Sequence, residues 1–298
     1  MSLFDKLVSE ALKGQADLAP LRSVVKKELL HHDILREMSK AGLPAGLTFI
    51  GGTCLRMAYG SNRLSEDLDF TGGDALSSET LKSLGDVLVE RLKAKYDLDV
   101  DVSKPVRQTG NTSTWRVAVT THPTQTSMPR QRIHIEICAI PSYQKRPVVL
   151  RNHYGVEMGT SGLIIQAQSA AEILADKVVA FALRPNRIKN RDLWDIAWLK
   201  QQNTDLPNEL VAKKINDHRQ SVGEFLKMIG QRNQQLEDSD IRNGFIQEMR
   251  RFLAPNVISR TVEKEEFWMY LRNLIDAQCK EITNFLKGAA AASGSFQM

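Results

Sequence analysis

Cysteine is scarce: there are three in 298 residues, Cys54, Cys138 and Cys279, far apart and without a C-x-x-C pair. That spacing rules out a zinc ribbon and argues against a disulfide framework, so the expected compartment is a reducing cytoplasm. The six histidines form no H-x-x-x-H or comparable ligand pair. Apolar runs are short and interrupted, so no bilayer span and no membrane partner are expected. The opening residues, Met1 to Lys6, carry an acid early and lack the continuous apolar stretch of a signal peptide. Eighteen glycines and ten prolines are too few for a collagen-like or linker-dominated chain. Low complexity is confined to the Ala-rich run from Gly288 to Ser295, which reads as a frayed tail without function.

What is present is an ordinary globular composition. Hydrophobic residues make up 42% and charged residues 25%. That suffices for one large domain or two modest ones with a real core. Forty Lys and Arg against 35 Asp and Glu leave a net charge of +5. The mild excess fits a polyanionic partner such as RNA or a nucleotide, without being diagnostic of one.

Periodicity divides the chain. Residues 3–38 read as mostly helical. A β-prone run at 47–50 is broken by Gly51-Gly52, a short helical piece follows to Tyr59, and a strand is expected over 67–71. Ser77 or Ser78 caps a periodic helix running to about Lys95. Alternation predicts strands near 98–102, 113–120 and 132–140. Residues 141–162 read as loop, with 147–150 as a possible strand. From Ser169 onward the pattern is helical, with helices near 170–183, 190–200, 210–217, 222–232, 240–253 and 262–286. The expected organisation is an α+β (mixed α/β) unit over 1–165, a helical domain over 166–288, and a flexible tail over 289–298.

The chemistry concentrates on one face of two strands. In Asp67-Leu68-Asp69-Phe70 the two acids point one way and the apolar pair the other. Two adjacent carboxylates repel unless a cation lies between them, so a D-x-D on a strand is a divalent-metal platform or else a solvated strand end. The Gly51-Gly52 turn before a helix lets a phosphate approach backbone N–H groups. In Arg132-Ile133-His134-Ile135-Glu136-Ile137 the isoleucines form one face, and Arg132, His134 and Glu136 the other. Placed beside Asp67 and Asp69, Glu136 completes a three-carboxylate cluster able to hold Mg²⁺ for in-line attack on a nucleotide phosphate. Glu136 alone also reads as a cross-strand partner of an arginine.

A Gly-Gly turn, a short helix, a loop, D-x-D and a later acidic strand resemble the nucleotidyltransferase superfamily shared by DNA polymerase beta. The closer pattern is Gly51-Gly52-Thr53-Cys54-Leu55-Arg56 with Arg63-x-Ser65-x-Asp67-Leu68-Asp69-Phe70. Added to Asp176-Lys177 and Asn190-Arg191-Asp192-Leu193-Trp194-Asp195, it resembles the AbiEii/AbiGii/MenT toxin family over roughly residues 47–199.

The resemblance implies a nucleotidyltransferase-type core, a mixed sheet flanked by helices, with a helical C-terminal half that contributes Lys177 and Asp192. It implies NMP transfer from an NTP co-substrate, with Mg²⁺ held by Asp67, Asp69 and Glu136. Gly51, Gly52, Thr53, Arg63, Ser65 and Lys177 are the implied nucleotide-binding residues. Asp67, Asp69, Lys177 and Asp192 are the implied catalytic set. The implied acceptor is a tRNA 3′ end, and the implied partner a cognate antitoxin.

Other readings of single residues stay open at this point. Thr53 also reads as a helix cap, Ser65 as a turn hydroxyl, and Arg63 as a solvated cation. Asp176 is expected to face solvent, and Trp194 to lie in the core. Arg184, Arg187, Lys189 and Arg191 read equally as a solvated turn and as a phosphate-facing patch. An enzyme of this fold acting on a protein or an aminoglycoside-like molecule, and a nucleotide-binding module without turnover, are the rival functions.

Overall fold

The computed structural model describes residues 2–43, 46–73, 83–103, 112–121 and 129–294. It contains two compact units: Met1–Ser169 together with Phe252–Pro255, and Ala170–Arg251 together with Asn256–Met298.

In the first unit α1 (Leu3–Lys13) starts at Ser2, whose side chain accepts the Asp5 N–H, and buries Phe4, Val8, Ala11 and Leu12 at helical spacing. After a 3₁₀ stretch (Ala16–Leu21) comes α2 (Arg22–Lys40). This helix buries polar as well as apolar side chains, among them Glu28, His31, His32 and Asp33. Among the described residues seven strands form one mixed sheet. They are β1 (Thr48–Ile50), β2 (Leu68–Thr71), β3 (Val100–Ser103), β4 (Thr112–Val119), β5 (Gln131–Cys138), β6 (Lys145–Val149) and β7 (Ile164–Gln168), ordered β3-β4-β5-β2-β1-β7-β6.

The pairs β2–β5 and β1–β7 are parallel, and the other neighbours antiparallel. One sheet face is apolar and buried, with Phe49, Leu68, Phe70, Trp115, Val117, Ile133, Ile135 and Ile137. Helix α2 packs on β5, and α4 (Leu84–Tyr96) packs on β3 and α2. Asp33 ties α2 to α4: its carboxylate accepts from Lys95 Nζ and the Tyr96 hydroxyl, each at 2.5 Å.

The second unit is helical. It comprises α5 (Ala170–Leu183), α6 (Asn190–Gln201), α7 (Asn208–Asp217), α8 (Val222–Gln235), α9 (Ser239–Met249), all but the first residue of the short α10 (Pro255–Val257), which a π turn continues, and α11 (Glu265–Gly294). Helix α5 packs against α6, α7 and α8, and α11 against α6, α7 and α8. A capping box, Ser221 with Glu224, sets the start of α8. Trp194 is buried with its ring 5.8 Å from that of Phe267.

Sequence and structure differ at identifiable places. Strand β7 was not anticipated, because its five residues lie between Gly162 and a strong helical pattern and pair with a strand more than a hundred residues earlier. Strand β2 starts at Leu68, leaving Asp67 just before it. The expected caps Ser77 and Ser78 lie outside the described residues. Helix α9 ends at Met249, four residues earlier than its periodicity suggests. Helix α11 runs through the Ala-rich stretch to Gly294, since alanine is the best helix former. Asp176 does not face solvent alone: its carboxylate and that of Glu172 flank the buried Lys214 ammonium at 3.0 and 2.7 Å. The two carboxylates outweigh the effect of burial and raise the Lys214 pKa.

Candidate active site

The acids of β2 and β5 lie side by side. Asp69 is the register partner of Glu136, and both point away from the face that buries Leu68, Phe70, Ile135 and Ile137. On the other side of β2, Asp69 pairs with Ile50, the last residue before the glycine turn. Gly51 has φ of +75°, and a Cβ added there would stand 2.5 Å from Asp69 Oδ2. Backbone conformation and space thus both require glycine at this position. The turn opens directly into α3 (Gly51–Cys54), which a π turn continues over Leu55–Tyr59.

Asp67 is anchored from β5. Its Oδ1 accepts from the His134 backbone N–H and from His134 Nδ1, each at 3.1 Å. Among the described residues no three acidic, histidine or cysteine side chains are gathered closely enough to hold one metal ion. The donor chemistry nevertheless fits a hard divalent cation, because Mg²⁺ is usually held by one or two carboxylates, with the remaining positions filled by substrate phosphates and water. Asp69 and Glu136 in register, with Asp67 two residues before Asp69, provide such carboxylates.

The loop carrying Ser65 and Asp67 is held from beneath. The Thr53 and Ser65 hydroxyls are hydrogen-bonded to each other at 2.7 Å, and Thr53 Oγ1 also donates to the Asp67 carbonyl. Both side chains are buried. Arg63 is buried too: its guanidinium donates to the Leu64 carbonyl at 2.9 Å and lies 5.8 Å from the Phe252 ring centre. Three residues of α2 pin the same loop. Glu28 Oε1 accepts the Ser65 N–H at 2.8 Å, Lys27 meets Glu66 at 2.8 Å, and His31 Nε2 donates to the Glu66 carbonyl at 3.0 Å. Burial lowers the His31 pKa and keeps the ring neutral.

Glu28 Oε2 also receives Arg56 Nε at 3.1 Å and the Tyr154 hydroxyl. Burial and the adjacent Glu28 carboxylate push the Tyr154 pKa well up, so its hydroxyl stays a donor. Sequence patterning singles out neither Glu28 nor Tyr154, and gives Arg56 only as the last residue of the glycine motif. The available signal was an acid within the mostly apolar lattice of α2, where a charge must find partners.

The second unit holds its own charged cluster. Lys177, on α5, places Nζ 2.5 Å from Asp192 Oδ1 and 2.9 Å from Asp195 Oδ2, both on α6 and both buried. Arg184 adds a longer contact to Asp192 at 3.4 Å. Burial acts to raise the Asp192 pKa, but Lys177, Lys189 and Arg184 outweigh it and hold the carboxyl below its usual range. The start of α6 lacks a side-chain cap, and Asp192 stands on its third residue.

The family model described as nucleotidyl transferase AbiEii toxin, type IV TA system, matches residues 33–273. Among solved structures, MenT4, a nucleotidyltransferase toxin from Mycobacterium tuberculosis H37Rv, matches with a TM-score of 0.56 at 16% identity. That alignment covers 92% of this chain and 89% of MenT4, and the likeness is one of fold. JHP933 from Helicobacter pylori matches with a TM-score of 0.47 at 16% identity, over 90% of this chain and 98% of its own. No curated protein matches the chain. No helix among the described residues is long and apolar enough to cross a membrane.

Proposed function

The chain belongs to the AbiEii nucleotidyl transferase toxin family of type IV toxin–antitoxin systems, and on that premise we propose that it transfers a nucleoside monophosphate from an NTP to a tRNA 3′ end and so blocks translation. The observation that carries this reading is the position of Asp69, in register with Glu136 and packed against the Gly51 turn. A phosphate donor and a hydroxyl acceptor brought to that point meet backbone N–H groups on one side and carboxylates on the other.

In this reading the carboxylates of Asp67, Asp69 and Glu136 would hold Mg²⁺, one or two of them at a time with substrate phosphates and water completing its shell, and the ion would supply charge neutralisation at the α-phosphate and the departing pyrophosphate. The acceptor hydroxyl oxygen bonds to the α-phosphorus and gives up its proton to solvent as the bond to the bridging oxygen breaks, and pyrophosphate leaves. Gly51 and Gly52 offer N–H groups to the phosphates. Ser65 stands at the phosphate side, and Thr53 and Arg63 brace the loop that presents it. His134 keeps Asp67 in one orientation, leaving its second oxygen for the cation. Lys177 takes the triphosphate charge, and Asp192 fixes its ammonium. The site of action is the cytoplasm, and a cognate antitoxin restrains the enzyme.

The test is incubation of the protein with Mg²⁺, each α-labelled NTP in turn and total tRNA, beside an Asp67→Ala control. Label on tRNA that requires Asp67 is expected. NTP binding without label on tRNA would overturn the tRNA assignment and direct the search to protein or small-molecule acceptors.

A further inference from the structure

The polar face of the sheet continues past the acids. On β5 the residues alternating with the buried isoleucines are Glu136, His134 and Arg132. On β4 the register places Thr114 beside Glu136, Arg116 beside His134, and Ala118 beside Arg132. Successive positions on one face are about 7 Å apart along a strand. Arg116 therefore lies one such step from the Glu136–Asp69 level, and Arg132 two steps, about 13 Å. Both arginines are exposed, and neither makes an ion pair among the described residues.

The contrast with Arg130 is informative. Its guanidinium is taken by Asp99 at 3.4 Å, Asp101 at 4.0 Å and the Ala118 carbonyl at 3.1 Å. Two arginines without counter-ions among the described residues, aligned on the face that carries the acids, attract a chain of negative charges. Thr114, 8% exposed, adds a hydroxyl without a hydrogen-bond partner among the described residues, level with Glu136.

We propose that Arg116 and Arg132 form a track for the backbone of an RNA acceptor, with its terminal hydroxyl at Asp69 and Glu136 and its preceding phosphates on the arginines. This deepens the nucleotidyl-transfer reading and rests on it. Charge order favours RNA over an acidic protein. An RNA end presents a neutral hydroxyl where the carboxylates lie and anionic phosphates farther back, whereas an acidic segment carries charge up to the carboxylates themselves.

The test is equilibrium binding of total tRNA across a range of salt concentrations, without NTP, so that it reads binding independently of transfer. The Arg116→Ala/Arg132→Ala double variant is expected to bind more weakly at every salt concentration. Its slope of log K against log salt should be shallower by about one unit per arginine removed. Arg116→Lys/Arg132→Lys should restore most of that slope, and Arg130→Ala should change it less.

An unchanged slope in the double variant would overturn the proposal. So would weakened NTP binding with tRNA binding intact, or weakened binding of polyglutamate alone, which would assign the arginines to the triphosphate or to an acidic protein. Arginine-dependent tRNA binding by a protein that labels nothing would instead count against transfer while leaving the track in place.

Discussion

Glu28 Oε1 accepts the backbone N–H of Ser65 at 2.8 Å, so a buried carboxylate on α2 supports the loop that carries Asp67. The same side chain neutralises Arg56 and receives the Tyr154 hydroxyl. Glu28→Ala would strand a buried guanidinium, an amide and a phenol together. A loss of about 3–5 kcal/mol is expected, read as the change in urea midpoint at constant slope. Glu28→Gln keeps the volume and should lose less.

Gly51→Ala tests the link between the turn and the acid. The alanine must adopt a φ of +75° and place a methyl against Asp69. The backbone strain is about 1–2 kcal/mol. Displacement of Asp69 by an ångström should lower transfer by roughly 10²-fold. Labelling kinetics and a melting curve on one preparation separate the two effects, and full activity would show that Asp69 tolerates the shift.

Acid should weaken the first unit before its carboxylates titrate. His32 is buried with Nδ1 at 2.8 Å from Thr160 Oγ1, and burial lowers its pKa to about 4. His31 and His153 shift in the same direction for the same leading reason. The unfolded chain, with histidines near 6.5, therefore binds more protons between about pH 6.5 and pH 4, and stability falls as pH drops through that window. For His32 alone the loss by pH 5 is about 2 kcal/mol. Urea titrations at pH 7 and pH 5 measure it, and a smaller pH dependence in His32→Gln assigns its share.

Lys177 is the only cation within 3 Å of both Asp192 and Asp195 among the described residues. Lys177→Met leaves two buried carboxylates without it, and should destabilise by about 3–5 kcal/mol at neutral pH. One of the pair then gains from taking up a proton, so the deficit should shrink on moderate acidification. A melting series from pH 8 to pH 5 checks the direction.

The strand acids were legible because alternation fixes which side chains share a face: Asp69 and Glu136 against Leu68 and Ile135. The glycine turn was legible because few residues adopt its conformation. The buried partners were not. Helical spacing does not say that Ser65, Arg56 and Tyr154 will meet Glu28 from three separate segments. Strand β7 escaped for a related reason, since its pairing with Phe49 through Ala167 is set by topology and not by its own five residues. Arg63 reads in sequence as a phosphate ligand or a solvated cation; burial overturns the second, because its guanidinium packs against Phe252, a residue 189 positions later in the numbering.

That last pairing bears on how the protein can be dissected. Phe252 also supplies the carbonyl that receives the Leu64 N–H at 2.9 Å. A fragment ending at Ser169 would retain every strand of the sheet and still lack the segment that closes over Arg63 and Leu64. The α/β unit is assembled from two stretches of chain, so a single proteolytic cut or a simple truncation does not release it whole. Trimmed versions meant to fold alone must carry residues 252–255 back to it through a short bridge.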